Sequence, residues 1–379
     1  MTGEFRHGLV IGKFYPPHRG HEYLIGRAAA ACEAVTVLVM AAAHESVPLA
    51  DRVAWLREAF AAGPGVSVLG APCDAPVDYG DRAVWAAQVA VMRAALAVAG
   101  RPPVDAVFAS ESYGAELADW FGARAVSVDP ARSAVPVSGT AVRSGLAEYW
   151  DFLSPPVRAG LAARIVVVGA ESTGTTTVAR DLADHFRNRG GAWARTRCVP
   201  EHGRDYTGAK WEMARAAAAA AGQEAPDLQA LVWTREDFDA VADGQTRREE
   251  AAAREGSPVL VCDTDAFATS VWERRYLGED ARAVGSQPWA AAPGLPRHDV
   301  YLLTAHEGVP WDDDGMREGD LEIRAAMTGW FALGLTRAGH SWVLLSGSRE
   351  ERLRLAARTA ESVLSRRTGF GAAAGERTP

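Results

Sequence analysis

The chain has 379 residues, 48% hydrophobic and 23% charged, with a formal net charge of −8. This is the composition of a folded globular protein, not a disordered or fibrous one. The length exceeds the roughly 250–300 residues at which one hydrophobic core stops growing, so two domains are predicted. The acidic balance, with a pI near 5.7, argues against nucleic acids and membrane surfaces as partners, since both call for a basic face. A local positive pocket for a small anionic substrate remains compatible with it.

Short β-branched runs alternate with amphipathic segments along the first half. Strands are predicted at Gly8–Phe14, Val35–Met40, Val66–Leu69 and Val104–Ala109, with helices at Glu22–Ala31, Ala50–Ala61, Ala83–Val98 and Ala115–Phe121. Strands apolar on both faces and separated by helices predict a parallel sheet covered on both sides, a doubly wound Rossmann-like α/β domain. The paired prolines Pro155-Pro156 read as a stop, placing a domain boundary near residue 155. A second α/β domain over 156–365 is predicted to open with a strand at Arg164–Val168. Its further strands are Val259–Cys262, Val300–Leu303 and Trp342–Leu345, and its helices Gly174–Arg187, Leu228–Arg254, Ala266–Tyr276, Leu321–Leu335 and Glu350–Ser365. The stretch 366–379, rich in Gly, Ala and charge, reads as a flexible tail.

Among the 40 basic residues only Lys13 and Lys210 are lysines. Codon bias accounts for most of this, and it makes a surviving lysine worth inspecting. The four cysteines, Cys32, Cys73, Cys198 and Cys262, lack zinc-type spacing and read as small hydrophobes in a reducing compartment. With neither a signal peptide nor a bilayer-length apolar run, a cytoplasmic location is expected.

Chemistry concentrates in two loops. Gly12-Lys13-Phe14-Tyr15-Pro16-Pro17-His18-Arg19-Gly20-His21 joins the first strand to the first helix, where open α/β sheets bind ligands. His18 and His21, flanking Gly20, can converge on one ligand beside free helix N–H groups and the Lys13 ammonium. Gly12 and Phe14 belong to the same turn. Later, Ser138 or Thr140 is placed to cap a helix, with Arg143 a turn away to grip phosphate with its planar fork.

These residues resemble the cytidylyltransferase-like nucleotidyltransferases, marked by (H/T)xGH and SxTxxR, and most of all their nicotinamide mononucleotide adenylyltransferase branch. The resemblance implies ATP bound with its phosphates over His18, His21 and Arg143, and attack of the mononucleotide phosphate on the α-phosphorus. It also implies that Trp85 stacks on nicotinamide, although that tryptophan reads equally well as core.

The second loop, Gly169-Ala170-Glu171-Ser172-Thr173-Gly174-Thr175-Thr176-Thr177, has the strand–loop–helix layout and glycine spacing of a P-loop. Its backbone is expected to cradle ATP phosphates, with Thr176 at the Mg²⁺ hydroxyl position. The lysine position holds Thr175, so the usual cation over the β- and γ-phosphates is absent. Asp263, ending a buried strand, suits the Mg²⁺-orienting acid, and Asp265 and Arg204 are candidate substrate contacts. Glu201 is placed to accept a proton from an acceptor hydroxyl. Arg317, in Trp311-Asp312-Asp313-Asp314-Gly315-Met316-Arg317, and Arg324 are candidates for a lid arginine.

In order, GKFYPPHRGH, VSGTAVR, YWDFLSPPV, GAESTG, EHGRD, CDTD and WDDDGMR resemble the bifunctional NadR type over residues 12 to about 317. That family joins nicotinamide mononucleotide adenylyltransferase to ribosylnicotinamide kinase. ATP, nicotinamide mononucleotide and nicotinamide riboside are the partners the resemblance implies, with Mg²⁺ as cofactor. No helix-turn-helix precedes the first motif, so the DNA-binding module of some members is not expected. Thr175 keeps a second reading open, in which the P-loop domain is a nucleotide-binding regulator. Oligomeric state is left open, a homo-oligomer among the candidates.

Overall fold

The computed structural model describes residues 3–63, 65–287, 298–310, 320–371 and 373. They form two compact units, Met1–Leu161 with Thr368–Pro379, and Ala162–Arg367.

The first unit is built on β1 (Phe5–Gly12), β2 (Cys32–Ala41), β3 (Val66–Pro72), β4 (Ala106–Ala109) and β5 (Arg124–Ser127). They pair in the order β3-β2-β1-β4-β5, all parallel. Both faces of β1 are apolar and buried, Val10 toward one layer and Leu9 toward the other. One layer holds α1 (Arg19–Ala31) and α2 (Leu49–Ala59), the other α3 (Arg82–Val98) and α4 (Tyr113–Phe121). Strand order reverses between β1 and β4, which opens a crevice at their carboxyl ends. The predicted strand Gly8–Phe14 stops at Gly12, because Phe14 takes a positive φ of 47° and turns the chain out of the sheet. Two short helices complete the unit, α5 (Gly139–Ser144) and α6 (Pro155–Leu161).

The paired prolines correct the boundary read from sequence. Pro155 is the first residue of α6, where a missing N–H costs nothing. The break therefore comes after Leu161.

The second unit contains β6 (Ala163–Gly169), β7 (Arg197–Val199), β8 (Val259–Asp263), β9 (Val300–Thr304) and β10 (Trp342–Leu345). Its order is β10-β9-β6-β8-β7, again all parallel. Every residue of β6 is buried. Its helices are α7 (Thr175–Arg187), α8 (His202–Ala220), α9 (Arg235–Glu255), α10 (Ala266–Leu277), α11 (Leu321–Arg337) and α12 (Arg349–Thr368). The helix predicted over Leu228–Arg254 is two pieces. A 3₁₀ turn at Leu228–Ala230 precedes Thr234, whose backbone N–H donates to Asp237 Oδ2 at 2.8 Å as α9 begins. The long α8 was missed, since its alanine run read as composition bias. The stretch expected to fray from residue 366 is helical to Thr368, and the Phe370 ring packs edge-on against Tyr15. No described helix is long and apolar enough to cross a membrane.

Candidate active sites

In the first unit, His18 is the N-cap of α1 and His21 its third residue. His21 N–H donates to His18 Nδ1 and His18 N–H to His21 Nδ1, both at 3.3 Å. The rings stack with centroids 3.7 Å apart. Gly20 permits this, because a Cβ there would lie 3.1 Å from the His18 ring. With both Nδ1 atoms accepting, each neutral imidazole carries its proton on Nε2. His18 Nε2 is buried and has no partner among the described residues. An orphaned buried donor of this kind suits an anionic ligand.

Burial, then the Arg132 charge, lowers the His18 pKa to about 3. Burial and the neighbouring His18 hold His21 well below its ordinary value. A rate that depends on these imidazoles should therefore show no histidine titration between about pH 5 and 8. A pH profile of NAD⁺ formation checks this, and a rate change following a group near pH 6.5 would contradict it.

Ser138 caps α5, its Oγ accepting from Ala141 N–H at 3.1 Å. Arg143 donates to the Tyr15 carbonyl and, at 3.3 Å, to the Thr140 hydroxyl, which sets its fork beside the histidine turn. Three expectations change here. The Lys13 ammonium lies 3.2 Å from Glu45, whose other oxygen pairs with fully buried Arg52 at 2.7 Å. Lys13 is thus part of a triad of net charge +1, not a free cation. The Phe14 ring is core, edge-on to His21 at 4.8 Å, so it braces the imidazole instead of facing a nucleotide. Trp85 is 6% exposed in the α3 core layer, with its indole N–H donating to the Tyr79 carbonyl. In this conformation it is core, while exposed Tyr79 stacks on Tyr113 nearby.

In the second unit the P-loop lies between β6 and α7, at the strand where the order reverses. Gly169 admits no side chain, since a Cβ would lie 2.1 Å from the Thr304 hydroxyl. Ser172 and Gly174 have φ of 53° and 86°, and such alternation curls backbone N–H groups inward as an anion nest. The Thr175 and Thr176 hydroxyls face Asp263 and lower its pKa in part, while burial, the larger cause, raises it. Thr173 supplies backbone only, since its hydroxyl donates to the Ala170 carbonyl and bonds Thr304 beneath the loop. Thr177 is exposed on α7 and does not line the pocket.

One pocket joins the loop residues Glu171, Ser172, Thr175 and Thr176 to Asp263, Glu201 and Arg204. Its far wall is aromatic, made by Trp233, Phe238, Trp272 and Tyr276. Trp233 stacks within 5.4 Å of Phe238 and 5.3 Å of Tyr276. The sequence reading missed this wall, although Trp272 and Tyr276 share a helix face at i, i+4. Lys210 also acquires a place. Its ammonium lies 2.6 Å from Asp237 and 5.3 Å from the Trp233 ring centre, while Tyr206 donates to the same carboxylate at 2.8 Å. This cluster fixes the aromatic wall from behind.

Asp265 does not face the substrate space. It is fully buried, caps α10 by accepting from Ala268 N–H at 2.9 Å, and accepts from the Tyr301 hydroxyl at 2.6 Å. Arg317 lies outside the described residues. Arg324 is described, and it is buried beneath the P-loop, not mounted on a lid.

Comparison with known proteins finds relatives in sequence and in fold. Residues 164–352 match the model of an AAA domain. The chain is 26% identical over 324 residues to the trifunctional NAD biosynthesis/regulator protein NadR of Salmonella typhimurium (strain LT2), covering 82% of this chain and 71% of that protein. The NadR protein of Escherichia coli (strain K12) matches at 26% over 325 residues, with the same shares. Among solved structures, NadR in complex with NR superimposes with a TM-score of 0.63 at 20% identity, covering 100% of this chain and 99% of that one. NadR in complex with NAD and AMP-PNP gives a TM-score of 0.62 at 20% identity over the same shares. In sequence and in fold, the chain resembles the NadR proteins.

Proposed function

We propose that the first unit transfers AMP from ATP to nicotinamide mononucleotide, giving NAD⁺ and pyrophosphate. The second unit would phosphorylate nicotinamide riboside to supply that mononucleotide. The observation that carries the kinase reading is one pocket running from the P-loop, past Glu201, to four aromatic rings. Nicotinamide riboside is a flat cationic ring joined to a sugar hydroxyl. Aromatic faces favour the cation, and the carboxylate suits the hydroxyl. The relatives' names and complexes, NAD biosynthesis, NR, NAD and AMP-PNP, point the same way.

In the second unit, Glu201 takes the hydroxyl proton as that oxygen attacks the γ-phosphorus, and the loop amides receive the charge left on ADP. Thr176 and Asp263, one hydroxyl and one carboxylate, would hold Mg²⁺, which would supply positive charge to the transferring phosphate. In the first unit, a phosphate oxygen of the mononucleotide attacks the α-phosphorus and the bond to pyrophosphate breaks. The His18 and His21 Nε2–H groups and Arg143 hold the departing charge, with no covalent intermediate.

A second reading is favoured by Thr175 in the lysine position, with the P-loop unit binding nucleotide as a regulator. One experiment separates them: purified protein with ATP and Mg²⁺, given either nicotinamide mononucleotide or its riboside. NAD⁺ from both supports the two-step reading, and NAD⁺ from the mononucleotide alone supports the regulator. NAD⁺ from neither overturns both.

A further inference from the structure

Four arginines are buried among the described residues: Arg52, Arg164, Arg324 and Arg352. Two of them have the acid partner that a buried guanidinium ordinarily requires. Arg52 pairs with Glu45 at 2.7 Å and Arg164 with Glu250 at 2.6 Å. Arg324 and Arg352 have no carboxylate within ion-pair distance among the described residues, and their hydrogen bonds go to backbone carbonyls alone.

Those carbonyls belong to the P-loop and the segments packed beneath it. Arg324, from α11, donates to the carbonyls of Glu171 at 3.1 Å, Ser172 at 2.7 Å and Val309 at 3.0 Å. Arg352, from α12, donates to Thr173 at 2.8 Å, Ala305 at 3.0 Å and Gly347 at 3.0 Å. Three consecutive loop carbonyls are thus held outward by two cations. Each shares a peptide plane with the next N–H, so the N–H groups of Ser172, Thr173 and Gly174 are polarised toward the phosphate space.

We propose that Arg324 and Arg352, acting through the loop backbone, supply the positive charge that the lysine position of this P-loop lacks. The proposal rests on the reading of the second unit as a nucleoside-triphosphate site. Both are positioning residues, because they act on phosphate through the loop. Thr175 cannot fill this part, since its hydroxyl is turned to Asp263. Burial lowers the pKa of both arginines, and Arg324 lowers that of Arg352 further, while Glu307 acts on Arg352 only from beyond ion-pair distance. Both remain charged at neutral pH, so among the described residues the loop rests on two guanidinium charges with no carboxylate in contact, a positive charge that a bound polyphosphate would relieve.

The test is made on the full-length chain, with mononucleotide-dependent NAD⁺ formation as the internal control. Arg324→Gln or Arg352→Gln keeps hydrogen-bond donors and removes the charge. Each should raise the KM for ATP in riboside phosphorylation by about 30-fold or more. Arg→Lys at the same position keeps the charge and should stay within about fivefold of the parent. Thr175→Lys should lower the KM of a Gln variant at least about tenfold more than it lowers that of the parent, a non-additive pair of effects. The idea is overturned if Gln and Lys variants behave alike, or if Thr175→Lys gives the same gain in both backgrounds. If a Gln variant does not fold, Thr175→Lys in the parent decides alone: a gain near a hundredfold shows that the charge was missing. If the parent phosphorylates no riboside, the kinase reading has failed, and AMP-PNP stoichiometry decides instead. Two equivalents in the parent against one in Arg352→Gln or Arg324→Gln supports the charge role, and two in both removes it.

Discussion

His21→Ala should lower NAD⁺ formation from nicotinamide mononucleotide by ~10²–10³-fold, the usual loss on removing a preorganised donor from a developing oxyanion. The geometry makes the prediction specific. Both Nδ1 atoms are committed to backbone N–H groups, so what alanine removes on the ligand side is one Nε2–H. It also removes a capping interaction, with a structural loss of about 1 kcal/mol, so the melting temperature must be followed beside the rate. His21→Gln, which keeps an N–H donor, should lie between alanine and the parent. Full activity of a folded His21→Ala variant would remove the histidine pair from the chemistry. Riboside phosphorylation, measured as ADP release, should be unchanged.

Glu201→Gln should reduce riboside phosphorylation by ~10²–10⁴-fold, the range of a general base, and leave mononucleotide-dependent NAD⁺ formation intact. Glu201 is the cap residue of α8, makes no side-chain capping bond there, and lines the same pocket as the P-loop. Glutamine preserves shape and polarity while removing the basic oxygen, so the loss should fall on kcat more than on KM for the riboside. A variant with unchanged kcat would show that the acceptor hydroxyl loses its proton elsewhere.

Much of this arrangement was legible because buried parallel strands are written as uninterrupted apolar runs. Arg164–Val168 and Val259–Cys262 appear in the structure nearly as predicted, within β6 and β8. Packing demands a glycine near the end of the first strand of each unit, Gly20 in the first turn of α1 beside the His18 ring and Gly169 at the end of β6 beside Thr304. Less legible was whatever depends on partners distant in sequence. Nothing local tells that Glu45 takes up Lys13, that Tyr301 takes up Asp265, or that Phe14 turns inward. Lys210 had no neighbour to explain it until α8 and α9 were seen side by side, bringing Asp237 to its ammonium. The aromatic wall was hidden differently. Its rings come from two helices and the turn before one of them, and the predicted helix Leu228–Arg254 ran straight through that turn.

The Phe370 ring against Tyr15 has a further consequence for how the gene is parsed. The first unit is discontinuous in sequence: it is left at Leu161 and rejoined at Thr368. The P-loop unit is therefore a guest inserted into a host, not the second bead on a string. A fragment ending at Leu161 would amputate part of the host, including the ring that abuts Tyr15 in the histidine turn. An excision of the host should therefore carry residues 368–371 together with the stretch ending at Leu161.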